Sequence, residues 1–270
     1  MAERQAVRWE KKGRVAHVWL CNPAKRNAMG PAFWSELPQV MAEVSADHEL
    51  GAVALAAEGP AFTVGLDLKA MMGTLTPSDS QIETRQRLLG EIRRLQGSIS
   101  SVAACPLPVV AALHGYCLGG GVDLASACDV RVASKDLVLS VREIKIGMVA
   151  DVGTLQRLPR LIGHGHVAEL AYTGKDIGAD RCREIGLVND VYESPTETIA
   201  AAHKLAAAMA DNSPLVLRGV KKVLQYSAEH TIEEGLEYVA MHNATFLFSD
   251  DLSEAIQAFL EKRPARFKGR

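Results

Sequence analysis

The sequence has none of the cysteine spacings that hold a metal or a redox couple. Cys21, Cys105, Cys117, Cys128 and Cys182 form no C-x-x-C pair, and their odd number gives no disulfide framework. They read as reduced residues in or near the core, with no metal site. A charge excess of one sign is also missing: 30 basic and 32 acidic side chains, with aromatics at only 5%, leave no basic footprint or aromatic-basic cluster for nucleic acid. No apolar stretch approaches the roughly 18 residues of a membrane span, so no membrane partner is expected. No G-x-x-x-x-G-K-[ST] segment is present, which excludes a P-loop. There is no apolar leader after Met1, and Lys268-Gly269-Arg270 is not a peroxisomal address, so the expected location is cytoplasmic.

What is there is a 270-residue chain, nearly half apolar, long enough to bury a sizeable core. Strand patterns at 15–20, 53–57, 109–113 and 137–141 alternate with helical patterns at 32–44 and 82–102. The last third changes character. An Ala-rich helix is expected at 200–209, a second from Ser213-Pro214 to residue 226, a third behind the capping box of Thr231 and Glu234, and a fourth at 253–261. The expected organisation is an α/β core over residues 1–199 and a helical subdomain over 200–270, packed on the core or on a neighbouring subunit. Gly59 to Leu68 and Gly115 to Leu124 both read G-x5-G-x-D-L after a strand, a weak sign of related strand-turn-helix modules.

Three groups of residues suggest chemistry. Gly119, Gly120 and Gly121 precede a helix, where bare backbone and unpaired N–H groups make either an anion site or merely a tight turn. Gly65 lets the Leu66 N–H face the same place, and two converging donors would form an oxyanion hole. The acids are Asp123, Glu143 and Asp151. Asp123 stands in a first helical turn, where it serves either as a cap or as a site acid. Asp151 lies in an uncharged stretch of small residues, as a helix N-cap or as an acid projecting into a pocket with a shifted pKa.

The order and spacing of Asn22-Pro23-Ala24-Lys25-Arg26-Asn27-Ala28-Met29, Phe62 to Leu68, His114 to Gly121 and Gln156-Arg157-Leu158-Pro159 resemble the enoyl-CoA hydratase/isomerase, or crotonase, superfamily. The resemblance implies a crotonase (ClpP-like) α/β spiral of repeated ββα units, with a C-terminal helical trimerisation region and assembly as a homotrimer or a dimer of trimers. It places oxyanion-hole donors on the backbone N–H of Leu66 and Gly120. It places the acyl-CoA stretch on Lys25, Arg26 and Ala28, with Asp67 and Leu68 beside the pocket. CoA is then part of the substrate, and no cofactor is implied.

Within the superfamily, Asp123, Glu143 and Asp151 resemble the acids of the Δ3,5-Δ2,4-dienoyl-CoA isomerases. That subgroup moves a 3,5-diene into 2,4 conjugation by taking a proton from C2 and returning one at C6. Glu143 is expected at C2 and Asp151 at C6, with the direction open, and Asp123 as a residue that orients or tunes the site. The nearest alternative is an enoyl-CoA hydratase in which Asp123 and Glu143 hold water. That subgroup usually carries glutamate at the position of Asp123 and glycine at that of Asp151. A non-catalytic acyl-CoA-binding or RNA-binding scaffold is the second.

Overall fold

The computed structural model describes residues 4–76 and 78–270. Its main sheet has six strands: β1 (Val7–Lys12), β2 (Val15–Leu20), β3 (Ala52–Ala57), β4 (Val109–Leu113), β6 (Val130–Ser134) and β9 (Asp190–Tyr192), side by side in that order. In this sheet the β1–β2 pair is antiparallel and, from β2 onward, the neighbours run parallel. A smaller sheet is formed by β5 (Tyr116–Leu118), β7 (Val138–Ser140) and β8 (Ile177–Gly178). The expected α/β class is thus realised. The strands expected at 15–20 and 109–113 form with those bounds, while β1 alternates apolar and charged residues at the sheet edge.

The central strands read as unbroken apolar runs because both their faces are covered. Val53, Leu55 and Ala57 of β3, with Val109, Ala111 and Leu113 of β4, face the core shared with α1 (Pro31–Ala46) and the C-terminal end of α3 (Gln81–Ala103). Ala52, Ala54, Ala56, Val110 and Ala112 face the other way, against Ala202, Ala206 and Ala210 of α8 (Pro195–Ala210). Small residues on both sides let α8 lie close to the sheet. At Gly51, an added Cβ would stand 2.7 Å from the Ala210 Cα. The change of character expected at residue 200 therefore falls inside a helix of the sheet layer. The helices that follow are α9 (Pro214–Ser227), α10 (Ile232–Phe246), with the expected Thr231–Glu234 capping box, and α11 (Asp250–Glu261).

The remaining elements carry the loops. They are α2 (Met72–Leu75), α4 (Gly120–Ser126), α5 (Thr154–Arg157), α6 (His164–Thr173), α7 (Ala179–Glu184) and 3-10 turns at Pro23–Lys25, Glu143–Ile146 and Leu158–Arg160. The amphipathic pattern of α3 has an unexpected use. Only Ser98, Ile99 and Val102 near its end are buried, whereas Leu88, Ile92 and Leu95 face a cavity. No helix among the described residues is long and apolar enough to cross a membrane.

Candidate active site

The loops leaving the C-terminal ends of β2, β3 and β4 are laced together, at the edge where parallel sheets bind their ligands. Phe62 N–H donates to His114 C=O at 2.8 Å, Thr63 N–H to Tyr116 C=O at 2.9 Å, and Leu118 N–H to Thr63 C=O at 3.1 Å. Met29 N–H donates to Gly65 C=O at 2.8 Å, and Asp67 N–H returns to Met29 C=O at 3.1 Å. The two G-x5-G-x-D-L loops thus lie alongside one another, but their glycines do not play matching parts.

Asn27 is the knot of this lacing, and the sequence reading gave it no role of its own. Its side-chain amide donates to Glu58 C=O and Ala61 C=O, both at 2.9 Å, while its Oδ1 accepts Asn22 N–H at 2.9 Å. Its own carbonyl accepts the Thr63 hydroxyl at 2.6 Å. It sits in the left-handed region at φ 56°, as does Arg26 at φ 50°. An asparagine tolerates that conformation better than most residues, which is the available signal for its role.

Two backbone donors emerge from this frame without acceptors. Among the described residues, neither the Leu66 N–H nor the Gly120 N–H donates to any group. Gly120 opens α4, so its N–H has no partner within the helix. Gly65 brings the two strands of backbone together. Its φ is +83°, and a Cβ there would lie 2.6 Å from Leu118 O and 3.5 Å from Gly120 N. Gly119, at φ +52°, presents its bare Cα to the carboxylate of Glu143, whose Oε1 would stand 3.3 Å from an added Cβ.

A cavity of about 330 Å³ opens beside these donors, lined by Leu66, Leu68, Leu118, Gly119, Gly120, Glu143 and Asp151, with Trp34, Leu88, Ile92, Leu95 and Met148 among the apolar wall. Glu143 Oε2 is buried with no hydrogen-bond partner. Burial, with the Asp123 charge next, pushes the Glu143 carboxyl up to about 7. Burial raises Asp151 as well. Asp151 is half-buried on the cavity wall, and the N-cap of α5 is Gly153, so the acid stands at the cavity rather than capping that helix.

Asp123 is different. It is fully buried and does not line the cavity. Its Oδ1 accepts the N–H of Thr154, the first residue of α5, and its Oδ2 has no partner. Burial pushes this carboxyl up to about 6, against the opposing pull of the Thr154 hydrogen bonds and the Arg157 charge. It therefore caps the first turn of α5 from a distance of 31 residues along the chain, rather than serving its own helix.

Of the expected acyl-CoA residues, Leu68 lines this cavity, whereas Lys25, Arg26, Ala28 and Asp67 are not part of its wall. Lys25 Nζ pairs with Asp67 Oδ2 at 3.3 Å, and Lys25 and Arg26 are exposed. The Ala70 N–H, and then the Lys25 ammonium, hold the Asp67 carboxyl below its ordinary value. Ala28 N–H closes the turn onto Lys25 C=O at 3.1 Å, and Leu68 is 42% exposed at the cavity rim.

The model of the family described as "Enoyl-CoA hydratase/isomerase" matches residues 10–270. A mitochondrial Δ3,5-Δ2,4-dienoyl-CoA isomerase of Dictyostelium discoideum is 42% identical over 94% of this chain and 87% of that protein. A peroxisomal Δ3,5-Δ2,4-dienoyl-CoA isomerase of Arabidopsis thaliana is 35% identical over 97% of this chain and 96% of that protein. The crystal structure of an enoyl-CoA hydratase from Bacillus anthracis superposes with a TM-score of 0.89 at 29% identity, covering 98% of this chain and all of that one. The fold is the crotonase fold, and the chain belongs to the enoyl-CoA hydratase/isomerase family.

Proposed function

We propose that this protein is an isomerase that shifts a 3,5-dienoyl-CoA to a 2,4-dienoyl-CoA. The observation that carries the reading is the pairing of Glu143 and Asp151 on one cavity wall beside two unpaired backbone donors. The Leu66 and Gly120 N–H groups bind the thioester oxygen as negative charge gathers there, which acidifies C2. Glu143 takes the C2 proton and Asp151 returns one at C6, so one of the two must enter the cycle protonated. The upward displacement of both carboxyls by burial supports that division of a single proton.

Asp123 acts as a positioning residue, holding the start of α5 and keeping Glu143 basic through its charge. Its absence from the cavity wall speaks against the hydratase alternative, in which Asp123 and Glu143 jointly hold water. Lys25, Arg26 and Ala28 form the turn that meets the CoA portion, with Asp67 and Leu68 beside the acyl entrance. CoA arrives as part of the substrate, and no cofactor is needed for the proton transfers.

The helical region from residue 200 onward is proposed to join subunits in a trimer or a dimer of trimers. Support comes from exposed Val216, Val220 and Leu224 on α9 and from Phe248, Phe259 and Leu260 further on. Light scattering on the purified protein distinguishes these states from a monomer. A cytoplasmic location is the reading of the sequence; the relatives named above are mitochondrial or peroxisomal, and an organellar signal in cell fractionation overturns it.

The activity test offers both 2-enoyl-CoA and 3,5-dienoyl-CoA to the purified protein. The isomerase reading expects the absorbance of a conjugated 2,4-dienoyl-CoA to appear, and to vanish in Asp151→Asn. Efficient hydration of 2-enoyl-CoA that survives Asp151→Asn contradicts it, and binding of CoA thioesters without turnover favours a non-catalytic scaffold.

A further inference from the structure

Asp151 stands between two cavities. The acyl cavity of about 330 Å³ adjoins a second one of about 910 Å³, and among the described residues Asp151 and Val152 alone stand in both walls. Glu143 lines the first alone. The second wall mixes apolar residues such as Ala103 and Ala104 with polar side chains: Gln96 and Ser100 from α3, Gln156 and Arg157 from α5, and Gln225 and Tyr226 from α9. Against about 30 Å³ of liquid per water molecule, that volume accommodates a continuous file of water.

The wall around Asp151 is pinned through its backbone. Gln96 Nε2 donates to Asp151 C=O at 2.6 Å. Arg157 donates to Val152 C=O at 3.2 Å and to the Ser100 hydroxyl at 3.0 Å. Among the described residues, no other residue donates to the Asp151 carboxyl, which is left free to meet both spaces.

The proposed reaction leaves a proton debt at this position. In one forward turnover the C2–H bond breaks, its proton goes to the Glu143 carboxylate, and its electron pair enters the dienolate. The Asp151 O–H bond then breaks as C6–H forms. The enzyme ends with Glu143 protonated and Asp151 ionised, the reverse of its starting state. Before the next forward turnover, a proton must leave Glu143 and another must reach Asp151.

We propose that the second cavity is the solvent port through which Asp151 regains its proton, so that the hydrogen placed at C6 comes from bulk water and not from C2 of an earlier substrate molecule. Gln96 and Arg157 are positioning residues of that port, holding the 151–152 backbone while the carboxyl turns between the two cavities. The inference rests on the roles proposed above for Glu143 and Asp151.

The test is isomerisation of a 3,5-dienoyl-CoA over many turnovers in D₂O, with the label located by NMR and mass spectrometry. The expected product carries one deuterium at C6. In Gln156→Phe, whose parent side chain is exposed and makes no hydrogen bond among the described residues, the port is narrowed. Steady-state kcat is expected to fall by about tenfold or more while the rate of the first turnover stays unchanged. Ala104→Phe, at another point of the same wall, gives the same result if Gln156→Phe fails to fold. Product that keeps the C2 hydrogen at C6 in the wild type, or an unchanged kcat in the folded variants, overturns the port. An absence of any isomerisation by the wild type overturns the isomerase reading itself, a result distinct from either.

Discussion

Replacing Gly65 by alanine should disable the site while leaving most of the fold in place. The new Cβ would lie 2.6 Å from Leu118 O, whereas an ordinary contact begins at 3.4 Å, so backbone must move by about 0.8 Å. The residue is also held at φ +83°, where alanine is strained by about 1–3 kcal/mol. Leu66 N–H follows directly in the chain, and Gly120 N is the next neighbour of the displaced atoms. A misplacement on the order of 1 Å costs about 100-fold in rate, and complete loss of one oxyanion donor about 100- to 1,000-fold. The expected outcome in a dienoyl-CoA isomerisation assay is a kcat about 100-fold lower. For a chain of this size the strain should lower the melting temperature by roughly 2–10 °C in calorimetry. Gly90→Ala is the control: it stands exposed within α3 with nothing within 4 Å of an added Cβ, and should keep full activity and gain slightly in stability. Activity in Gly65→Ala within about threefold of wild type, at an unchanged melting temperature, would refute the convergence of the two donors.

Further outcomes follow from the acids and from Asn27. Because Glu143 must be ionised to take the C2 proton and titrates at about 7, kcat/KM should rise as pH rises through about 7, and Asp123→Asn should move that limb to lower pH by removing a charge that raises Glu143. The folded pKa of Glu143 exceeds its ordinary 4.5, so its contribution to stability is fully present below about 4.5 and is lost as pH rises through about 7. The melting temperature of Glu143→Gln relative to wild type should therefore increase between pH 5 and pH 8, and a constant difference contradicts the burial of this charge. The rings of His17 on β2 and His203 on α8 lie 3.8 Å apart; burial lowers His17, and lowers His203 from 6.5 to about 4, so this pair stabilises the fold above about 6.5 and loses that contribution as pH falls towards 4. A His203→Phe variant should show a flatter melting-temperature profile over that range. Asn27→Ala leaves the buried carbonyl of Ala61 without its donor and frees the turn from the neighbouring loop. It should destabilise the protein by about 1–3 kcal/mol in urea unfolding and lower isomerisation with it.

The parts that could be read from the sequence are those where one residue's surroundings are set by its neighbours in the chain. The bounds of β2 and β4 are legible because buried parallel strands admit only apolar residues, and the Thr231–Glu234 box sits within one helical turn. β1 is harder to read, since its polar face is turned to solvent at an edge. The glycine loops announce close backbone approach, but not which amides are left unpaired. That depends on bonds such as Leu118 N–H to Thr63 C=O, between segments far apart in sequence. The partner of Asp123 was hidden for the same reason: its carboxylate meets Thr154 N–H, so no local cap pattern records it. The α3 pattern specified an amphipathic helix correctly, while leaving open whether its apolar stripe covers core or lines a cavity. The second cavity behind Asp151 is assembled from α3, α5, α9 and α10, and no motif marks it.

The most direct measurement is a crystal structure of the protein with an unreactive dienoyl-CoA analogue. The account predicts the thioester oxygen within about 3 Å of both the Leu66 and Gly120 nitrogens, with the Glu143 carboxyl at C2 and the Asp151 carboxyl at C6. A thioester oxygen bound elsewhere, or an Asp151 carboxyl turned away from the acyl chain, would contradict it.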